Sequence, residues 1–360
     1  MRLYYSAVYI LIVSSGLYLA GITSFSPVYG LLGLGVMVAM FAILLYKKIY
    51  LDGSILVSVA YLVYLFFSQL LLTNFSSVMF LPLFSLFIYP IAVSMMNGLS
   101  KNHIIKLAVR FIRATLALCI VEAYYRLSNP TFITENGFDH RVDGNLLFYA
   151  YKENSIMFTD SNFVGVLLLT LFFFVIYISK ITPKKNFKYE KILLFILILL
   201  TFSRAAILVS AFFYVIQVFY YRKNGKLLIF VFGLLSLLSM SYFFSSDGSL
   251  STKYDMFNYF IDFYKIADIT QIMFGVGFGE SENIHDISQH VFLFFMAEES
   301  GLLGILFLFI LWSIILFKTN GAALIVMAPF LMVGMSSSMH SITFLYACFA
   351  IIYSIEKRAV

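Results

Sequence analysis

Charge is what this chain has least of. Only 12% of its residues are Asp, Glu, Lys or Arg, about half of what a soluble domain carries. So few charges cannot cover a surface that faces water, and a water-soluble globule is excluded. Cysteine is almost missing as well. Cys119 and Cys348 are the two, and each lies inside an apolar run. They offer neither a disulfide framework nor a metal site, and both read as small core residues. The chain also has no Asp-x-Asp pair and no His-x-x-x-His spacing. Metal-assisted chemistry lacks its usual ligands, so no metal and no other cofactor is expected.

What fills the chain instead is hydrophobic length. Hydrophobic residues make up 62% of it and aromatics 19%, and the mean hydropathy is +0.95. Runs such as Ile192–Leu200 and Leu302–Phe317 show no strand alternation, which argues against a membrane barrel. The expected fold class is all-α, a polytopic transmembrane helix bundle. Taking roughly 20 apolar residues per crossing, spans are expected at 4–22, 27–46, 54–72, 77–97, 104–125, 161–179, 192–203, 205–221, 227–244, 290–317, 321–338 and 341–355. The first reads as a retained span rather than a removed signal, since no clear small-residue cleavage site stands near Ala20-Gly21. No internal repeat is visible, unlike the inverted halves of many transporters.

The net charge of +6 does not read as nucleic-acid binding, because in a membrane protein the placement of charge matters more than its sum. With a cytoplasmic N-terminus, one set of loops and span ends collects Arg2, Lys47, Lys48, Lys101, Lys106, the lysine run 180–191, Arg222, Lys223, Lys226, Lys318, Lys357 and Arg358. The opposite set holds Arg126, Arg141, Lys152, Lys253 and Lys265. Asp52, Glu190 and Glu356 are the acidic residues expected inside. The bias places both termini in the cytoplasm and the two long loops, 126–160 and 245–289, on the outer side. Long loops of this kind are often functional, and an enzyme working at the outer face would be built this way.

Three segments carry residues able to do chemistry. In Thr201-Phe202-Ser203-Arg204 the apolar run before the turn is about a dozen residues, roughly 18 Å of helix against a ~30 Å hydrocarbon core. Arg204 then stands at a turn below the outer surface, where an arginine is costly and faces protein or a watery cavity. It reads as an anion clamp; the plainer alternative is a snorkelling arginine on one bent helix. The second segment is Gly275-Val276-Gly277-Phe278-Gly279, followed by His285 and His290. His290 opens an apolar stretch at the outer boundary and can serve as a base, or satisfy a loop carbonyl; His285 is the lesser candidate. The third runs from His140-Arg141-Val142-Asp143-Gly144 to Asp160-Ser161-Asn162. Arg141 can bind an anion or pair with Asp139 or Asp143, and Asp160 to Asn162 can cap the helix that follows. Arg110 and Arg113 are expected to snorkel to the inner face.

Together these segments, covering mainly residues 140–304, resemble the O-antigen polymerase and O-antigen ligase superfamily. Thr201-Phe202-Ser203-Arg204 is similar to its Thr-x-Ser-Arg turn. Gly275-Val276-Gly277, His290 and Glu299-Ser300-Gly301-Leu302-Leu303-Gly304 are similar to its Gly-x-Gly, His and Glu-x-Gly-x-x-Gly block. Arg141-Val142-Asp143-Gly144 and Asp160-Ser161-Asn162 are similar to its Arg-x-x-Gly and Asp-Pro-Asn elements, with Ser161 in the proline's place and Val291 where asparagine is frequent after the histidine. The resemblance implies a GT-C-like bundle that transfers glycan from undecaprenyl pyrophosphate without a metal, at the periplasmic face. Arg204 and Arg141 would hold the pyrophosphate, His290 would accept the acceptor's proton, and Asp160, Asn162, Gly277 and His285 would line the substrate. A polymerase extends a lipid-linked repeat unit, and a chain-length regulator is then a candidate partner; a ligase caps lipid A–core. The polymerase is the favoured expectation. A flippase or other transporter is the alternative of another class, but it predicts charges scattered along a central path rather than gathered at the faces.

Overall fold

A computed structural model describes residues 2–19, 27–46, 50–72, 78, 80–133, 144–158, 160–183, 185–219, 249–281 and 290–358. Among them there is no β-strand. The helices are α1 (Arg2–Ser14), α2 (Pro27–Tyr46), α3 (Gly53–Leu72), α4 (Phe80–Met96), α5 (Lys101–Ser128), α6 (Ser161–Ile181), α7 (Lys188–Leu200), α8 (Arg204–Phe219), α9 (Ser249–Ile266), α10 (Ile269–Phe274), α11 (Phe292–Lys318), α12 (Leu324–Gly334) and α13 (Thr343–Glu356), with a 3₁₀ segment Gly144–Tyr151. Three of the described helices, within α3, α6 and α11, are long and apolar enough to cross a membrane. Several shorter apolar helices pack around them, α4, α8, α12 and α13 among these. The span expected at 227–244 lies outside the described residues.

Side-chain contacts fix the helix directions. Arg113 and Arg126 of α5 meet Glu190 at the start of α7 and Leu200 at its end, so α5 and α7 run the same way. Ser161 opens α6 and bonds the Thr201 carbonyl after α7, so α6 runs against them. Gly165 and Phe173 of α6 face Ala206 and Phe213 of α8, which therefore follows α6. Gln69 of α3 meets Glu299 of α11 while Tyr61 meets Phe307, so these two are antiparallel. Tyr177 of α6 reaches Glu356 at the end of α13. One end of the bundle thus gathers the ends of α3, α5 and α7 and the starts of α6, α8, α11 and α13; the other gathers Lys101, Lys188, Lys318, Lys357 and Arg358. The described candidate residues, Arg204, Asp160, Asn162, Gly277 and His290, belong to the first end, called here the rim.

Local chemistry explains the breaks. Ser100 and Asp160 cap α5 and α6 by accepting from the backbone two or three residues on, as an N-cap should. Gly165 lets α6 approach α8: a Cβ there would stand 3.0 Å from both the Ser203 and Ala206 Cβ atoms. The core is aromatic, with Phe111, Phe173, Phe174 and Phe349 fully enclosed, and Cys119 and Cys348 are free thiols buried within it.

Two expectations differ from the structure. The stretch expected as loop 245–289 is largely helical where described. Phe257, Phe260 and Tyr264 recur at helical intervals and settle on α11, with Phe260 and Phe294 stacked at 4.3 Å; the interspersed Lys253, Asp255, Asp262 and Lys265 masked that pattern. The stretch expected as loop 126–160 begins late, because α5 continues to Ser128 and carries Arg126 inside its last turn.

The break in α11 is the most constrained point of the fold. Gly301 has φ 69°, and a Cβ there would lie 2.4 Å from the Met273 carbonyl oxygen and 2.5 Å from the Gly275 nitrogen. Left-handed backbone alone costs an L-residue about 1–2 kcal/mol, and the neighbouring atoms here are main chain, which cannot step aside. Gly301→Ala is therefore expected to lower the thermal unfolding midpoint of the detergent-purified protein by several degrees or abolish its recovery. Gly33→Ala, where nothing lies within 4 Å, should leave it unchanged. Equal midpoints for both would contradict this packing.

Candidate functional site

The rim holds two clusters. The first is built around Arg126, which is 0% exposed. Its Nε donates to Glu122 Oε1 at 2.7 Å, one turn earlier on α5. One terminal nitrogen donates to the Tyr151 carbonyl and the other to the Leu200 carbonyl at 2.9 Å. A planar guanidinium with five donors can bridge three directions at once. Here it ties the end of α5, the end of the 3₁₀ segment and the end of α7 together.

That tie positions the turn after α7. Thr201 closes the helix, its hydroxyl bonding the Ile198 carbonyl at 2.7 Å and accepting from the Ser203 N–H at 3.2 Å. Phe202 sits at φ 54°, with its ring against Tyr151. Ser161 donates to the Thr201 carbonyl at 2.7 Å from α6. The helix pair is thus truly broken, not bent, and Arg204 is the first residue of α8, exposed at the rim. There the helix dipole adds to the guanidinium charge.

Lys152 stands opposite. It is 7% exposed, and its ammonium lies 3.4 Å from Asn162 Oδ1 and 5.1 Å from the centre of the Tyr149 ring. Asp160 fixes that asparagine by accepting from its backbone N–H at 2.7 Å and its side-chain amide at 3.0 Å. Burial lowers the Lys152 pKa, Asp160 opposes the fall, and the positive charges of Arg204 and Arg126 add to it. Arg204 and Lys152 are therefore close enough to feel each other, and a shared anion would relieve both.

The second cluster follows from the Gly301 break. A helix end leaves its last four carbonyls without intrahelical donors, and here each finds one. Tyr264 donates to Ala297 at 3.2 Å, Val276 N–H to Glu298 at 2.9 Å, and Gly277 N–H to Glu299 at 3.1 Å. Gln69 adds a second donor to the Glu299 carbonyl at 3.3 Å, and Tyr64 donates to Ser300 at 2.7 Å. The glycine loop is thus a main-chain plug for a broken helix, and Gly275 at φ 83° passes against the Glu299 carbonyl, where no Cβ fits. The Glu299 carboxylate, 1% exposed, accepts from Gly279 N–H at 3.0 Å and Ser281 Oγ at 2.8 Å. Its other oxygen lies 3.1 Å from His340 Nε2.

Aromatic and hydroxyl contacts join the clusters. Phe158 stacks on Tyr18 at 4.3 Å, the Tyr18 and Tyr29 hydroxyls are 3.3 Å apart, and Tyr29 faces Ser341, next to His340.

Of the residues singled out in the sequence, Arg204, Asp160 and Asn162 come together in the first cluster and Gly277 belongs to the second. His290 is exposed at the rim, two residues ahead of α11. Arg141 and His285 lie outside the described residues. Sequence reasoning missed Arg126, Glu122, Lys152, Gln69 and His340, and used Glu299 only as part of a motif. An acid and a base four residues apart inside an apolar run is the signal that would have found Glu122 and Arg126. Gln69 and His340 stand singly and carry no local signal. No protein-family model matches the chain, and a search of curated proteins finds no match.

Two predictions follow from the difference between the arginines. Removing one partner of a buried ion pair costs about 3–5 kcal/mol, so Arg126→Ala should lose folded protein from the membrane, while Arg204→Ala keeps near-normal abundance. Size-exclusion profiles of the tagged variants read this directly, and equal profiles would refute the division. The second concerns pH. A lysine whose pKa is lowered loses its charge as pH rises through that lowered value. Binding of inorganic pyrophosphate should weaken at pH values where ordinary lysines are still protonated, and Lys152→Arg should remove that fall. Titration calorimetry across alkaline pH checks it.

Proposed function

We propose that the chain is a membrane glycosyltransferase that polymerises undecaprenyl-pyrophosphate-linked oligosaccharide repeat units into O-antigen or capsular polysaccharide. The reaction takes place at the periplasmic face of a bacterial inner membrane. The observation that carries this reading is the proximity at the rim of Arg204 and Lys152, whose ammonium lies 3.4 Å from Asn162 Oδ1. Two cations held at the edge of an apolar bundle suit a ligand with two adjacent phosphates. The rim lies opposite the end rich in lysine and arginine, which the positive-inside rule assigns to the cytoplasm.

In this reading Arg204 grips the pyrophosphate in bidentate fashion from the N-terminus of α8. Lys152 neutralises charge that builds on the leaving group as the glycosidic carbon is attacked. Asn162, with its amide fixed by Asp160, sets the position of the Lys152 ammonium. The proton of the acceptor hydroxyl goes to a histidine on the same rim; the resemblance of the motif names His290. The phosphates are handled by side chains and helix dipole alone, which fits a transfer that needs no metal.

The test is reconstitution in liposomes with a lipid-pyrophosphate repeat unit, with and without lipid A–core. A ladder of chains on the carrier lipid is expected without lipid A–core. Product only in its presence would establish a ligase, and neither product would defeat the reading. Arg204→Ala should be nearly inactive at normal protein levels. Arg204→Lys should be strongly impaired, since lysine keeps the charge but loses the planar fork. A full-length ladder from Arg204→Ala would remove that residue from the site.

A further inference from the structure

Glu299 is a buried carboxylate whose needs exceed what the glycine loop supplies. One oxygen accepts from Gly279 N–H and Ser281 Oγ. The other is directed to the imidazole of His340 at 3.1 Å. An ionised carboxylate this deeply enclosed is costly unless its oxygens are bonded or paired, so the imidazole has a defined electrostatic task. The ring is held on both sides, with Phe295 at 4.4 Å and Phe278 at 6.4 Å between centres. It is nevertheless 27% exposed. Nε2 faces the carboxylate, and no described residue hydrogen-bonds Nδ1. A histidine whose one nitrogen is oriented by a carboxylate, with the other left for a reacting group, has the arrangement of an oriented general base.

Resting on the glycosyl-transfer reading, we infer that His340, oriented by Glu299, is the base that takes the proton from the acceptor sugar's hydroxyl. The sequence motif points to His290; the geometry points to His340. In the step, the acceptor O–H bond breaks and its proton passes to His340 Nδ1. The oxygen forms the new bond to the anomeric carbon of the donor, and the bond from that carbon to the pyrophosphate oxygen breaks. The electron pair leaves with the pyrophosphate, against Arg204 and Lys152. Glu299 stabilises the imidazolium, which returns its proton to water through the exposed part of the ring. The other titratable groups around His340 are Tyr61 and Tyr346, which share a cavity of about 20 Å³ with it. Phenols are neutral at neutral pH, so Glu299 is the charged group acting on the ring among the described residues.

The closing experiment has two arms. In the first, the purified protein is treated with diethyl pyrocarbonate and modification of His340 is followed by mass spectrometry. The half-open ring should be modified in the wild type, and freeing it from the carboxylate in Glu299→Gln should change the rate of modification at His340. No modification, or the same rate in Glu299→Gln, would overturn the pair as an accessible, oriented imidazole. This arm does not depend on the reaction. In the second, polymer formation is measured for His340→Gln, His340→Ala, His290→Ala and the wild type. His340→Gln should lose a factor of about 10² to 10⁴ in rate with donor-lipid binding retained, and added imidazole should partly restore His340→Ala. Near-normal rate in His340→Gln with loss in His290→Ala would hand the role to His290. Loss in His340→Gln and His340→Ala without imidazole rescue would make His340 a positioning residue. Absence of polymer from the wild type, with His340 modified as expected, would defeat the glycosyl-transfer reading, and the base role with it.

Discussion

The rim is organised by one buried guanidinium. Arg126 sits where α5, the 3₁₀ segment and α7 all end, and helix ends are where backbone carbonyls go unpaired. In lipid those carbonyls have no water to turn to. Arg126 donates to two of them, at Tyr151 and Leu200, and keeps its third direction for Glu122. The ion pair settles the charge, and the two carbonyl bonds settle the geometry. With α7 held at Leu200, the chain must turn at once, and the turn delivers Arg204 to the rim at the first position of α8. The placement of the exposed arginine is thus a consequence of the buried one.

The second cluster obeys the same accounting with different groups. Gly301 interrupts α11 inside the bundle and exposes four carbonyls. The chain answers with two tyrosines, a glutamine and the backbone of the glycine loop. Because loop and helix cross main chain to main chain, both Gly275 and Gly301 must lack a Cβ. The sequence motif of glycines separated by some twenty residues from a glutamate and a further glycine is, physically, one crossing seen twice along the chain. The Glu299 side chain then reaches over the same crossing to the Gly279 N–H. The loop's position and the orientation of His340 therefore rise or fall together.

How much of this could be read from the sequence varies with the range of the interaction. Apolar runs revealed the all-helical character, and the short run before Arg204 revealed the turn, because both are local. Asp160 was legible as a cap and is one, and it also clamps the Asn162 side chain, which no local signal marks. The helix Ser249–Ile266 was hidden because its polar face faces away from α11 and made the stretch look like loop. His340 was invisible for a different reason: its partner Glu299 is 41 residues earlier in the chain, and nothing in a sequence marks a pairing at that distance. Lys152 was visible only as an outer-face charge. Its meaning comes from Arg126 and Arg204, which arrive from two other helices.

The two clusters divide the work of charge in a way that bears on catalysis. Arg126 is compensated within the fold, so its charge is already committed to Glu122. Burial weighs most on the Lys152 charge, Asp160 offsets part of that, and repulsion from Arg204 and Arg126 adds to it. Such repulsion is largely relieved when an anion enters between them, and it is relieved most when that anion carries the greatest charge. In a transfer from pyrophosphate, negative charge on the leaving group grows as the bond to the sugar breaks. Under the proposed reaction such a site would bind the breaking bond better than the intact one, which is the condition for acceleration rather than mere affinity. An apolar surrounding strengthens the effect, because charges at the rim of a lipid-embedded bundle are screened less than in water. The glycine-loop cluster has the complementary character: a carboxylate holds an imidazole in a fixed orientation. In the proposed reaction one cluster would gain as negative charge leaves the sugar, and the other as a proton leaves the acceptor.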